Sequence, residues 1–268
     1  MSPDDDAVAR LRAAGSVFAE EEAAALTATF DGPVLEDAVA RRVNGEPLEH
    51  VLGWADFSGV RVAVRPPVFV PRRRAEVLVD AAREALRDKA PDAVVVDVGC
   101  GSGAIAAALT TRAPGIRCHA VDTDHDAVAC AAANGTGFGF TVHTGHWLDA
   151  LPGALRHGVD VAVAHLPYVP TSDLGLLPRD YRDAEPTSAV DGGVDGLDPL
   201  RQVAAQLPSW LAPGGMLITQ VTRRQVPEAG RVASAAGFRW RVVDSPEGPV
   251  VVLADAMYVD VHRRTVTP

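Results

Sequence analysis

A chain of 268 residues with 22% charged and 47% hydrophobic residues can bury a sizeable core, and that balance fits neither wholesale disorder nor a membrane class. The formal net charge is −10 and Lys89 is the only lysine, so a surface that tracks nucleic-acid phosphates is not expected. The run Arg72-Arg73-Arg74 is either a solvated loop or a local patch for an anionic ligand. Three cysteines, Cys100, Cys118 and Cys130, without CxxC spacing argue against a disulfide framework or a zinc site. The acidic start MSPDDDAVAR lacks the features of a signal peptide, and no apolar run reaches membrane length, so the expectation is a cytoplasmic protein without a membrane partner.

In chain order, Val8, Leu11 and Ala14 mark the buried face of a first helix. Phe18, Ala25, Leu26 and Phe30 mark that of a second, and Val34, Leu35, Val39 and Val43 that of a third, closed by Asn44-Gly45. Residues 1–50 therefore read as a small helical domain. Residues 51–74 change character, because β-formers flank Ser58-Gly59 in the manner of a hairpin linker.

Residues 75–268 read as one α/β domain. A helix to Arg87 is followed by strand Ala93 to Val98, helix Gly103 to Arg112, strand Arg117 to Asp122, helix Ala127 to Asn134 and strand Val159 to Ala164. Strands that are apolar on both faces and alternate with helices define a doubly wound, mostly parallel sheet. A helix ending near Trp210 and a turn at Pro213-Gly214-Gly215 lead into strand Met216 to Val221. Phe238 to Val243 and Val250 to Ala254, separated by Pro246-Glu247-Gly248, predict an antiparallel pair at the sheet edge.

The stretch VVVDVGCGSGAIA, residues 94 to 106, carries the sharpest signal. A buried strand runs into Gly99, Gly101 and Gly103 and then a helix, giving a backbone that can approach a ligand closely and a helix N-terminus for an anionic group. Asp122 ends the next strand, where a carboxylate can accept both hydroxyls of a ribose. Together these residues predict a nucleoside cofactor. The glycine spacing also satisfies the nicotinamide dinucleotide form, so an oxidoreductase remains an alternative at this point.

The order of motifs resembles the HemK-type protein-(glutamine-N5) methyltransferases. It begins with Gly45-Glu46-Pro47-Leu48, Leu52-Gly53, Phe57 and Gly59, and continues through Val70-Pro71-Arg72 with Glu76 and the glycine loop. Ala120-Val121-Asp122, Trp147 and Pro167-Tyr168 follow, then Glu185-Pro186 to Leu197 and Pro213-Gly214-Gly215. The resemblance implies a Rossmann-like class I sheet that binds S-adenosylmethionine, and a methyltransferase acting on a release factor-like protein. A small-molecule nitrogen acceptor is the alternative. Asp97, Gly99, Gly101 and Gly103 would hold the methionine part, Asp122 the ribose, and His146-Trp147 the adenine. Phe69, Arg72 and Glu185 would face the substrate, and the helical segment with its hairpin would recognise it. Nothing in the patterning encodes an oligomeric state.

The chain departs from the family at its acceptor motif, where Asn-Pro-Pro-Tyr is replaced by His165-Leu166-Pro167-Tyr168. His165, Pro167 and Tyr168 are the candidate catalytic residues. His165 reads as a hydrogen-bond acceptor in place of Asn, as a general base, or as the mark of a cofactor-binding relative that has lost turnover. An acid is also expected before Trp147, where this chain has His146. The long segment Thr171 to Asp198 reads as a substrate lid.

Overall fold

A computed structural model describes residues 3–178, 182–246 and 248–254. Four helices open the chain: α1 (Pro3–Ala13), α2 (Ala19–Thr29), α3 (Gly32–Val43) and α4 (Leu48–Leu52). Leu11, Leu26, Leu35, Val39 and Val51 pack into one apolar cluster of their own. Three of the residues expected on buried faces are not there: Ala14 is exposed, and Phe18 and Val34 are 64% and 59% exposed. Phe18 and Ala14 lie outside the helical spans, where the 3.6-residue period no longer dictates direction. Helix α4 also corrects the reading of Val51 and Leu52 as hairpin residues. At five residues it is too short to show a period.

The hairpin itself is β1 (Trp54–Phe57) and β2 (Val60–Ala63), paired antiparallel. Ser58 and Gly59 both have positive φ, 48° and 85°, as a two-residue type I′ turn requires. Phe57, Val60 and Val62 are buried in the same cluster as helices α5 (Glu76–Leu86), α6 (Ala104–Arg112) and α7 (His125–Phe138). Each such side chain contributes roughly 1.5–3 kcal/mol. Sandwiched between sheet and hairpin, α6 is apolar all round, with Ala104 to Leu109 all buried.

Seven strands form the main sheet in the order β5-β4-β3-β6-β7-β9-β8. They are β3 (Val94–Val98), β4 (Arg117–Asp122), β5 (Thr141–Thr144), β6 (Val159–Ala164), β7 (Leu211–Gln220), β8 (Arg239–Val243) and β9 (Val250–Ala254). The first five pair in parallel, while β9 runs antiparallel between β7 and β8. The C-terminal hairpin thus lies at the sheet edge as expected, with its second strand inserted inward of its first. Val94, Val96 and Val98 face the side covered by α8 (Asp198–Trp210) and α9 (Val226–Ala235), whereas Val95 faces α5, α6 and α7. The sheet is Rossmann-like and mostly parallel, with helices on both faces.

Two further elements were not anticipated. Strand β5 reads TVHT and is half polar, so neither apolar run nor alternation announces it. Helix α9 carries Pro227 and Gly230, which mask its period. Pro213-Gly214-Gly215 does not interrupt β7 as a turn would. It forms a bulge, since Val159 pairs with Leu211 and Val161 with Met216.

Asn134 ties the hairpin to the nucleotide loop. Its Oδ1 accepts from Ala63 N at 2.9 Å, and its Nδ2 donates to the carbonyls of Ala63 and Ser102 at 2.9 Å each. The residue is only 6% exposed, so removing it takes a side-chain partner from three backbone groups, of which the Ser102 carbonyl is buried. Asn134→Ala is expected to lower unfolding free energy by about 1–3 kcal/mol, read as a shifted midpoint in guanidinium. An unchanged midpoint would show that the hairpin is held without it.

Candidate active site

The parallel pairing of Val98 with Ala164 brings the loop after β3 beside the segment after β6. This is the switch point where the strand order reverses, the place where open α/β sheets bind ligands. Two adjoining cavities open there, and His165, Pro167, Phe69, Arg72 and Ala189 line both.

The first cavity encloses about 890 Å³ including its open mouth, within the range of small-molecule sites. Gly99, Gly101, Asp122 and Trp147 line it, together with Ser102 and Ile105. Gly101 has φ +54°, and a Cβ placed on it would meet nothing within 4 Å, so its backbone faces open space. Asp122 accepts from Gly101 N at 2.8 Å and from Asp124 N at 3.0 Å. That carboxylate shapes the loop while remaining on the cavity wall. Burial raises its pKa, opposed by these N–H bonds. Trp147 has a positive φ of 51°, and its Nε1 donates to Gln202 Oε1 at 2.9 Å.

Three of the expected cofactor residues do not line this cavity. Gly103, at the start of α6, packs against Phe140. His146 is exposed, its ring set edge-on to Trp147 at 5.4 Å. Asp97 lies behind the loop, 1% exposed, where its Oδ2 accepts from Ala106 N at 3.0 Å and anchors the first turn of α6. Its Oδ1 is buried without a hydrogen-bond partner. Burial foremost, with the Asp122 charge adding, pushes the Asp97 pKa up to about 7. Ser102, which sequence reasoning did not single out, has a buried Oγ with no hydrogen-bond partner on the same wall.

The second cavity, of about 1120 Å³ including its open mouth, is bounded by Phe69, Arg72, Glu185 and Tyr168, and by Leu174 and Leu177 from the long connection after β6. Glu185 is buried; it accepts from Val70 N at 2.9 Å and from Arg72, and so fixes the wall that carries Phe69. Burial raises its pKa, opposed by Arg72 and by the Val70 bond. The Arg72 guanidinium stacks over the Phe69 ring at 4.5 Å.

His165 stands where the cavities meet. Its ring lies 6.0 Å from Phe69 and 5.8 Å from Tyr168, and its Nε2 is buried without a hydrogen-bond partner. Burial first, then the positive charges of Arg74 and Arg72, pushes its pKa down to about 4. At neutral pH it is an uncharged imidazole. The Tyr168 carbonyl is occupied by Gln225 Nε2 at 2.9 Å, and a Cβ on Gly196 would collide with both groups. Gln225 therefore locks the acceptor segment to Asp195-Gly196, a role visible only in three dimensions. Further bonds knit the two segments, from Val169 N to Val190 O and from Gly192 N to Val169 O.

The chain is similar to known methyltransferases. The methyltransferase small domain family matches residues 72–169. The release factor glutamine methyltransferase of Geobacter sulfurreducens is 38% identical over 202 residues, covering 75% of this chain and 69% of the relative. That of Streptomyces coelicolor is 38% identical over 196 residues, covering 72% and 68%. A solved methyltransferase from Pyrococcus furiosus shares the fold at 14% identity, with a TM-score of 0.53 over 73% of this chain and 89% of that one.

Fold and relatives together identify an S-adenosylmethionine-dependent methyltransferase of the Rossmann-like class. The nicotinamide alternative falls with that finding. Within the class, the chain belongs to the release factor glutamine methyltransferase, or HemK-type, family.

The residues present suit this cofactor: a backbone cradle at Gly101 without side chains in the way, an unpartnered Ser102 Oγ and a strand-end carboxylate at Asp122. Gly101→Ala is expected to keep the fold while weakening S-adenosylhomocysteine binding at least about tenfold, since a Cβ would enter the cradle and oppose the positive φ. Calorimetry decides, and an unaltered affinity would remove Gly101 from the cradle.

Asp97 gives a pH signature. Its folded pKa lies above the unfolded value, so the folded chain holds a proton that the unfolded chain releases, and this contribution to stability is lost as pH rises from about 4 to about 7. Asp97→Asn keeps a neutral group throughout. The variant is expected to gain stability over the parent by on the order of a few kcal/mol at pH 8 and by much less at pH 5, measured by guanidinium unfolding. An equal difference at both pH values would place the carboxyl in a charged, solvated state.

Proposed function

We propose that this enzyme methylates a side-chain carboxamide nitrogen, that of a glutamine in a release factor-like protein, with His165 taking the place of the family's acceptor-motif Asn. The observation that carries this reading is the position of His165 Nε2: buried, unpartnered and on the wall of both cavities. When bound, S-adenosylmethionine supplies a methyl group on a sulfonium that needs no activation by the protein. The chain's task is to present the nitrogen.

An amide nitrogen is a poor nucleophile, and acceptors around its N–H groups both orient it and favour charge on it. A neutral imidazole in the tautomer with Nε2 unprotonated can accept one such hydrogen bond. The general-base reading finds less support, because an imidazole pushed down to about 4 is a weak proton acceptor at pH 7. Pro167 and Tyr168 shape the walls around the acceptor, as do Phe69, Arg72 and Glu185. The N-terminal helical segment, with Phe18 and Val34 exposed, would dock the protein substrate together with the hairpin, and the connection after β6 would close over it. The cytoplasm, where release factors act, is the compartment this reading requires.

Mass spectrometry of a release factor incubated with enzyme and S-adenosylmethionine should find one methyl group on the glutamine of its Gly-Gly-Gln motif. His165→Asn should retain activity within about tenfold, whereas His165→Leu, which leaves no acceptor, should lose a hundredfold or more. Because protonation would remove the acceptor only near pH 4, the rate should be flat between pH 6 and 8. A rate that climbs through pH 6.5 and vanishes in His165→Asn would instead establish a general base.

A further inference from the structure

The second cavity carries a charge that a neutral carboxamide does not use. Four arginines line it, Arg72, Arg73, Arg74 and Arg182, against a single acid, Glu185. Arg72 is engaged by Glu185, and Arg182 by Asp183 at 3.1 Å. Among the described residues, neither Arg73 nor Arg74 has a carboxylate partner. Both are exposed at the rim, and Arg74 is held to the cavity side with its guanidinium 5.9 Å from the Tyr168 ring centre. In a chain of net charge −10 with 35 acidic residues, these two adjacent guanidinium groups stand at a cavity mouth and, among the described residues, face no carboxylate partner. The charge of Arg74 already reaches the acceptor position, where it helps to hold His165 neutral.

We infer that the acceptor carries a carboxylate close to the nitrogen that is methylated, and that Arg73 and Arg74 hold it. This rests on the carboxamide reading above and adds to it the charge of the substrate. Guanidinium forks match a carboxylate in two parallel hydrogen bonds, and a half-enclosed rim is screened by salt less than open surface. Two sources share this chemistry: an acidic residue beside the glutamine in a polypeptide, or the α-carboxylate of a small carboxamide.

The test is calorimetric, on full-length protein loaded with S-adenosylhomocysteine, with two matched pairs of probes. One pair is N-acetyl-L-glutamine and its neutral α-N-methylamide. The other is a blocked Gly-Gly-Gln-Asp peptide and the same peptide ending in Asn. The anionic member of at least one pair should bind at least about tenfold more tightly, and the pair that discriminates names the source. In Arg73→Ser/Arg74→Ser the preference should fall below about twofold with S-adenosylhomocysteine affinity unchanged, and Arg73→Lys/Arg74→Lys should restore part of it. Equal affinities within both pairs, no binding by any probe, or a preference that survives the double serine variant would each overturn the inference. The same probes with labelled S-adenosylmethionine separate the two readings. Methyl transfer to neutral and anionic members alike would leave the carboxamide assignment standing and this one refuted. A charge preference in binding without methyl on any carboxamide would do the reverse.

Discussion

The pairing of β3 with β6 is the constraint on which the site depends. With Val98 opposite Ala164, the next residue on each strand, Gly99 and His165, must emerge side by side at the carboxyl end of the sheet. Two segments far apart in sequence thereby share one crevice, one offering an unobstructed backbone loop and the other a ring nitrogen. Neither could face the other across an antiparallel pair, whose strands end at opposite edges of the sheet.

Burial sets the electrostatics of that crevice. It raises Asp97, Asp122 and Glu185 and lowers His165, so each group is driven toward its uncharged form. The fixed charges are the guanidinium groups around the second cavity. Such a site attracts by field at the mouth and orients by hydrogen bonds within, which separates capture of a substrate from its alignment.

Much of this was legible in the sequence because strong local physics wrote it there. The valine run of β3 followed by glycines and then by α6 admits few other folds, and Asp122 at the end of β4 lines the first cavity beside those glycines. The family motifs located His165, Pro167, Tyr168 and Glu185, all of which meet at the cavities. What the sequence left unseen is equally physical. Asp97 looks like a ligand residue in a pattern, while the alternation of β3 turns it toward α6, where Ala106 N donates to it. Asn134 and Gln225 act through contacts with Ala63 and Tyr168 that no local spacing encodes. β5 and α9 lack the periodicity that would reveal them, the first through polar residues and the second through proline and glycine.

Of the four tryptophans in the chain, only Trp147 stands on the wall of the first cavity. Trp54 lies under Arg61, Trp210 is buried in the core, and Trp240 sits on the edge strand. The indole of Trp147 therefore gives the molecule a built-in optical reporter. Its emission should respond when a cofactor fills the crevice beside Gly99 and Asp122, read against the signal of the other three, which lie off that wall.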